Sequence, residues 1–417
     1  MLKNNLLKNS STLFLGTLIA FSVSFAFNAY FRRILSDEFF ANYEVVFRLS
    51  SILAVVFSAR YGMALVTPDK NEQSYSLFWG ANGIAILSGL ITLLSIILFE
   101  LQIGAWIGLE NTSYLFLVPI ISLVMALNQN LNFLFTRLKK FKEQSLFKLF
   151  HRFGEGGVII SLIGVVGSSL LIVGDLLGRV LISVFGYFIL IKKEKQLFKI
   201  SLASIKAELI RYKEYPLYNA LPSLFNTISL MLPMLLINKY YSNYETSKVG
   251  LSFQVLAIPL SLLASSISQV VLQKVSQDRT EERKIGKDVL QLFWVLLIAA
   301  VVGIASILFF GEELFSLIFG DSYAVSGYYA KVLVFSVALK LIVSPFSVIL
   351  PALNKIKLGS YWQLFYFCGV LTLYLQRDII IESFIVYLVG VEVIAYSVYG
   401  AIIIKQILKY NKSKHLV

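Results

Sequence analysis

Cysteine and histidine are nearly missing from this chain. With one cysteine, Cys368, neither an intramolecular disulfide nor a thiolate metal cluster can form. The two histidines, His151 and His415, are far apart in sequence, so a histidine metal site or catalytic triad is not expected. Charge is scarce: 15% of residues are charged, against about 25% in soluble domains. No G-x-x-x-x-G-K-[ST] occurs. The Gly286-Lys287 pair runs straight into Asp288, which leaves ATP hydrolysis by this chain without support. H-E-x-x-H, C-x-x-C and G-x-S-x-G are absent too. No catalytic residue, metal site or cofactor is therefore assigned, and the chain is not read as an enzyme.

What is present is apolar: 57% of the 417 residues are hydrophobic. Twelve long apolar stretches recur between short polar breaks, at about 11–30, 43–66, 76–99, 114–136, 147–172, 175–191, 215–238, 247–273, 288–310, 327–350, 359–375 and 381–404. A helix needs about 20 residues to cross a bilayer, and most of these are near that length. The first is followed by FNAYFRRI without an A-x-A cleavage site, so it reads as a retained helix. The break between 147–172 and 175–191 rests on GDLLGR, with Gly174 and Gly178 as turn signals. The expected fold is an all-α integral membrane protein of about twelve transmembrane helices.

The net charge of +13 is distributed by side. With the N-terminus in the cytoplasm, most of the 37 lysines and arginines fall inside, including RLKKFK at 137–142, KKEK at 192–195, the 274–287 loop and the tail KYNKSK. The positive-inside rule then puts both termini in the cytoplasm. The excess charge is explained by topology and anionic lipid, not by nucleic acid. The basic 192–214 segment has apolar residues at helical spacing and reads as an amphipathic linker helix on the inner leaflet. It divides the chain into six-helix lobes, 1–191 and 215–417. The layout of 39–59, a short outer loop, an aromatic and a long apolar span, returns at 246–266, as in transporters built from parallel repeats.

Charge inside the membrane is the chemistry that remains. An arginine near the bilayer centre costs roughly 2.5–3.5 kcal/mol on insertion scales, so it marks a protein interior or a wet cavity. The candidates are Arg48, Arg60, Arg152, Glu155, Lys340 and Glu392. Arg48 has Glu44 four residues earlier, and Arg152 and Glu155 are three apart; each set can be a plain ion pair. Arg60 has no acid three or four positions away. Lys340 lies mid-span, and Glu392 is either its partner or a coupling-ion site. Asn128, Asn130 and Asn132 can hold sugar hydroxyls or bond between helices. Pro222, Pro233 and Pro259 are kink candidates in spans seven and eight. Asn111-Thr-Ser is a glycosylation sequon by spelling alone.

Three stretches resemble the polysaccharide biosynthesis proteins, the flippases of O-antigen and capsule units within the multidrug/oligosaccharidyl-lipid/polysaccharide exporter superfamily. They are RRILSDEFFANYEVVF (32–47), SARYGMALVTPDKNEQ (58–73), and RYKEYPLYNALPSLFNTISLMLPMLLINKYY (211–241) with QVLAIPLSLLASSISQVVLQKVS (254–276). Where members of that family often carry an acid after the Arg-Tyr pair, this chain has Gly62. The resemblance implies two lobes around a central cavity, alternating access, and an undecaprenyl-diphosphate-linked oligosaccharide carried from the inner to the outer leaflet of the bacterial plasma membrane. It implies a glycan polymerase and chain-length machinery as further partners. Arg48, Arg60, Arg152 and Lys340 become the candidate contacts for the diphosphate or glycan, with Glu155 and Glu392 as coupling groups or structural partners. A cation-coupled multidrug antiporter is the first alternative, but the deep charges lean positive. A membrane glycan polymerase is the second, but the outer loops are short. A diphosphate moving outward gains roughly 2.3 kcal/mol per charge per 100 mV, so membrane potential is the expected drive.

Overall fold

The computed structural model describes residues 2–109 and 111–413, leaving aside the side chains of 2–14, Pro259, 265–266, Lys287 and Ser413; His415 lies outside the described residues. Every regular element described is helical. Backbone polar groups in hydrocarbon must be satisfied within the protein, so a chain this apolar folds as helices or as a closed barrel. Twelve helices of sixteen residues or more are described: α1 (Leu2–Ile34), α2 (Asp37–Phe57), α3 (Asn71–Ile107), α4 (Leu117–Arg137), α5 (Phe141–Leu162), α6 (Leu170–Lys193), α7 (Leu221–Tyr240), α8 (Asn243–Thr280), α9 (Lys287–Phe319), α10 (Ala324–Val343), α11 (Ile356–Leu371) and α12 (Ile381–Ser413). Among the described residues, nine helical stretches are long and apolar enough to cross a membrane on length and composition alone. The chain is a multi-pass membrane protein.

Charge marks the helix ends. Arg32 and Arg33 close α1, and Asp37 and Glu38 open α2, so each sign sits at the end of the helix dipole that favours it. At 37 residues α3 is about 55 Å long, well beyond the bilayer core. It kinks at Phe99, where the apolar run read from sequence also stops.

Two boundaries differ from the sequence reading, and both move charges. The second span does not run through 43–66: its helix ends at Phe57, so Arg60 lies in a turn instead of the span interior. The break between spans five and six falls at 163–169, not at GDLLGR. Gly164 and Gly167 take left-handed φ of 81° and 60° there, which glycine adopts freely. Gly174 and Gly178 are packing residues. A Cβ at Gly174 would meet the Ile159 side chain at 2.3 Å, and one at Gly178 would meet the Glu155 backbone nitrogen at 3.0 Å. They let α6 lie close against α5, and they place Asp175 and Arg179 within a span.

The chain forms two compact units, Met1–Tyr244 and Glu245–Val417. In the first, Tyr75, Phe78, Leu134, Phe135, Phe147 and Leu190 are buried together where α3, α4, α5 and α6 meet. The linker helix, Leu202–Arg211, is docked on this unit. Tyr61 Oη donates to the Leu209 carbonyl at 2.9 Å, Trp79 Nε1 donates to the Leu197 carbonyl at 2.7 Å, and the Ser76 and Ser204 hydroxyls are 2.7 Å apart. Glu194, just past α6, accepts from Tyr75 Oη and Lys140 Nζ, both at 2.7 Å. Burial alone would raise its pKa, but these donors hold it below the ordinary glutamate value. A five-residue π-turn, Pro216–Ala220, leads into α7, which packs against α2 in the same unit. Pro222 stands in the first turn of α7, and Pro233 is buried inside it.

In the second unit α9 and α10 approach so closely that a Cβ at Gly327 would sit 2.4 Å from the Gly311 carbonyl oxygen. Asn411 near the end of α12 pins the 281–286 loop, donating to the Ile285 carbonyl at 2.7 Å and accepting from its N–H at 2.9 Å.

Candidate functional site

Arg60 is held by backbone, not by a counter-charge. Ala59 and Arg60 both adopt positive φ, 45° and 62°. Two consecutive L-residues there carry a steric cost of about 1–2 kcal/mol each. The surrounding packing fixes the turn: Tyr61 is buried, and Gly62 lies against α4, where any Cβ would stand 2.2 Å from Asn130 Oδ1. An acid at position 62, as in the resembling family, has no room here. The Arg60 guanidinium reaches only a sulfur, with Nη2 2.8 Å from Met63 Sδ, and its buried Nε has no hydrogen-bond partner among the described residues. Burial with no opposing carboxylate pulls its pKa below the ordinary arginine value. An anion at this turn would meet an arginine fork whose charge is not already spent.

The other candidate cations each face a carboxylate. Arg48 binds Glu44 within α2, through Nε at 2.9 Å and Nη2 at 2.8 Å. Its Nη1 rests 3.7 Å from Met231 Sδ on α7. Arg152 Nη1 binds Glu155 at 2.8 Å within α5. Lys340 on α10 meets Glu392 on α12 at 2.6 Å, with side-chain exposures of 8% and 3%. Tyr366 Oη donates to the same Glu392 oxygen at 3.0 Å, while Glu392 Oε2 is buried without a partner among the described residues. Trp362 stacks on Tyr399 at 3.9 Å and donates its indole N–H to the Ala395 carbonyl, and the Tyr396 ring lies 5.6 Å from Lys340 Nζ. The pair is enclosed by aromatic rings.

Sequence reasoning overlooked a buried group of charges on α5 and α6. Asp175 and Arg179, read as a loop, join within α6 at 2.7 Å. His151 on α5 points Nε2 at Asp175 Oδ1, 3.6 Å away, and Tyr43 on α2 adjoins the same charges. The i, i+4 spacing of Asp175 and Arg179 was the available signal, and the adjacent glycines hid it. The imidazole and the Glu155 and Asp175 carboxylates bring ligating atoms within 4.8 Å of one another. Each carboxylate already faces an arginine, so the set offers a metal no net negative charge, and we assign none. The asparagines bond between helices: Asn128 Nδ2 to the Arg179 carbonyl at 3.1 Å, and Asn130 Nδ2 to Asn82 Oδ1 at 2.9 Å.

No protein of curated function matches this sequence. Solved structures match over nearly its full length at low identity, which shows the fold. An inward-facing multidrug resistance MATE transporter has a TM-score of 0.73 at 13% identity, covering 95% of this chain and 99% of that one. The lipid II flippase MurJ in an inward closed conformation has 0.74 at 14%, covering 97% and 90%. A superfamily transporter from Pyrococcus furiosus, described as having a binding pocket of reversed polarity, has 0.66 at 14%, covering 97% and 96%. The profile of the family described as polysaccharide biosynthesis protein matches residues 31–328. With that match over most of its length, the chain belongs to the family of polysaccharide biosynthesis proteins.

Proposed function

We propose that this protein is a flippase. It carries an undecaprenyl-diphosphate-linked oligosaccharide from the inner to the outer leaflet of a bacterial plasma membrane by alternating access, for surface polysaccharide synthesis. Its lobes are 1–191 and 215–417, joined by the 192–214 linker. The observation that carries the reading is Arg60: among the candidate cations, it alone has no carboxylate beside it. A strained turn at the end of α2 that holds a charge without a counter-ion suits capture of an anionic headgroup. By the positive-inside assignment that end is cytoplasmic, where a cargo made inside arrives. Arg48, Arg152 and Lys340 are neutralised by their partners and serve as secondary contacts at most. Membrane potential favours outward movement of the anion. A glycan polymerase and chain-length machinery would take up the delivered unit.

A cation-exporting antiporter needs carboxylates free to hold its cargo. Glu44, Glu155, Asp175 and Glu392 each face a cation instead. Surface glycan in a strain carrying Arg60→Ala is the test. We expect export to fall at least tenfold with protein abundance unchanged. Arg60→Lys, which keeps the charge but not the fork, should retain part of the export. Wild-type surface glycan in a well-expressed Arg60→Ala strain would overturn the role of Arg60, and altered drug or dye efflux with intact glycan in a deletion strain would favour the antiporter.

A further inference from the structure

We propose that the α5–α6 cluster is a second anion site, switched on by one proton at His151. The site is distinct from the Arg60 turn, and the identity of its anion, a phosphate or diphosphate group, rests on the export reading.

Three observations carry it. Asp175 is 2% exposed, and its Oδ1 has no hydrogen-bond partner among the described residues; the atom it faces, His151 Nε2 at 3.6 Å, has none there either. Two buried polar atoms thus stand opposite each other, just beyond bonding distance, with room for a short approach when a proton makes the imidazole cationic. The second observation is the unused capacity of the arginines. Arg179 gives only Nε to Asp175, and Arg152 gives only Nη1 to Glu155. A guanidinium has five N–H donors, and these two side chains remain 15% and 30% exposed. The third is charge. Two arginines against Glu155 and Asp175 sum to zero, so the cluster is electrostatically neutral while His151 is neutral. The remaining facing groups do not alter that. Tyr43 and Phe47 come from α2, Asn128 from α4, and Lys148 on α5 is turned to Thr17 of α1 at 2.7 Å. Glu44 and Arg48 cancel within α2.

A proton on His151 gives Asp175 a second cationic partner and the cluster a net charge of +1. Arg179 is then less committed to Asp175 and can turn its free nitrogens to an anion. Proton uptake and anion binding become positively linked, and the linkage is reciprocal. Histidine is the one side chain whose unperturbed titration falls between pH 5 and 8. Asp175 and Glu155 favour the imidazolium, and burial and the two arginines oppose it, so an anion that offsets the arginines favours the proton.

The chain holds two histidines, so His415→Gln leaves a single imidazole for 15N-histidine NMR. The full-length protein in phosphatidylcholine nanodiscs, with inorganic diphosphate as probe, gives the second readout. We expect His151 to gain its proton between pH 8 and 5, with the midpoint lowered by Asp175→Asn. Diphosphate binding should tighten about tenfold over that interval in the wild type. His151→Gln should remove the difference, and Arg179→Gln should weaken binding without abolishing the titration. An imidazole that stays neutral down to pH 5, a titration indifferent to Asp175→Asn, or an equal pH slope in wild type and His151→Gln overturns the proposal. If His151→Gln does not fold, the titration in the His415→Gln protein still decides. Neither readout uses a glycan or a flipping assay, so failure here leaves the export reading to Arg60→Ala.

Discussion

The two units treat buried charge differently. In the second, Lys340 and Glu392 make one contact across two helices, sealed by Trp362, Tyr366, Tyr396 and Tyr399. In the first, Arg152–Glu155 and Arg179–Asp175 lie side by side with His151 between them, partly exposed and with donors left over. A sealed pair, 8% and 3% exposed and ringed by aromatic side chains, holds α10 to α12. A more open cluster with a histidine among its members can change partners. Burial alone does not separate structural charge from functional charge; exposure of the donors and a titratable neighbour do.

Removing one partner from each region is the sharpest way to break this contrast. Lys340→Met strands Glu392 in an aromatic enclosure, and such a loss costs about 3–5 kcal/mol. Thermal unfolding in detergent should show a large drop in Tm, largely restored by adding Glu392→Leu. If the double variant is as unstable as the single one, the pair is more than a structural clasp. Arg179→Met should cost less, about 1–3 kcal/mol, because a proton on His151 gives Asp175 a replacement cation 3.6 Å away, whereas Glu392 is left with the neutral Tyr366 hydroxyl. A loss equal to that of Lys340→Met would erase the distinction. The smallest effect on folding is expected at Arg60. Arg60→Gly removes a left-handed strain and no ion pair, so stability should hold or rise by up to about 1 kcal/mol while export is lost. A clear drop in Tm would mean that Arg60 is structural.

Much of the architecture was legible in the sequence because apolar runs near bilayer length have few alternatives: twelve runs were read, and twelve long helices are described. Glycine misled at one place. In a soluble chain GDLLGR reads as a turn, but in a membrane small residues also mark close helix packing, as Gly174 and Gly178 do. That single ambiguity hid Asp175 and Arg179, and with them the company His151 keeps. Local pairs were readable from i, i+3 and i, i+4 spacing, as for Arg48 with Glu44 and Arg152 with Glu155. The Lys340–Glu392 contact depends on which faces of α10 and α12 meet; the sequence could offer the pair only as one of two readings of Glu392, beside a coupling-ion site. The strained turn at Ala59-Arg60 was likewise invisible, since neither residue type announces a positive φ.

The contrast between local and cross-helix pairing also bears on how the protein is made. Helices enter the bilayer in sequence as the chain is synthesised. Arg48, Arg152 and Arg179 each bring a carboxylate on the same helix, so α2, α5 and α6 can partition into lipid with that charge already cancelled. Lys340 and Glu392 cannot, because α11 must be synthesised between them. Until α12 arrives, α10 carries an unmatched ammonium, at a cost of roughly 2.5–3.5 kcal/mol on insertion scales. The second unit therefore has a late checkpoint in its biogenesis. A chain truncated before α12 should leave α10 poorly inserted and prone to quality-control proteolysis, whereas one truncated after α6 should insert its charged spans as the full chain does.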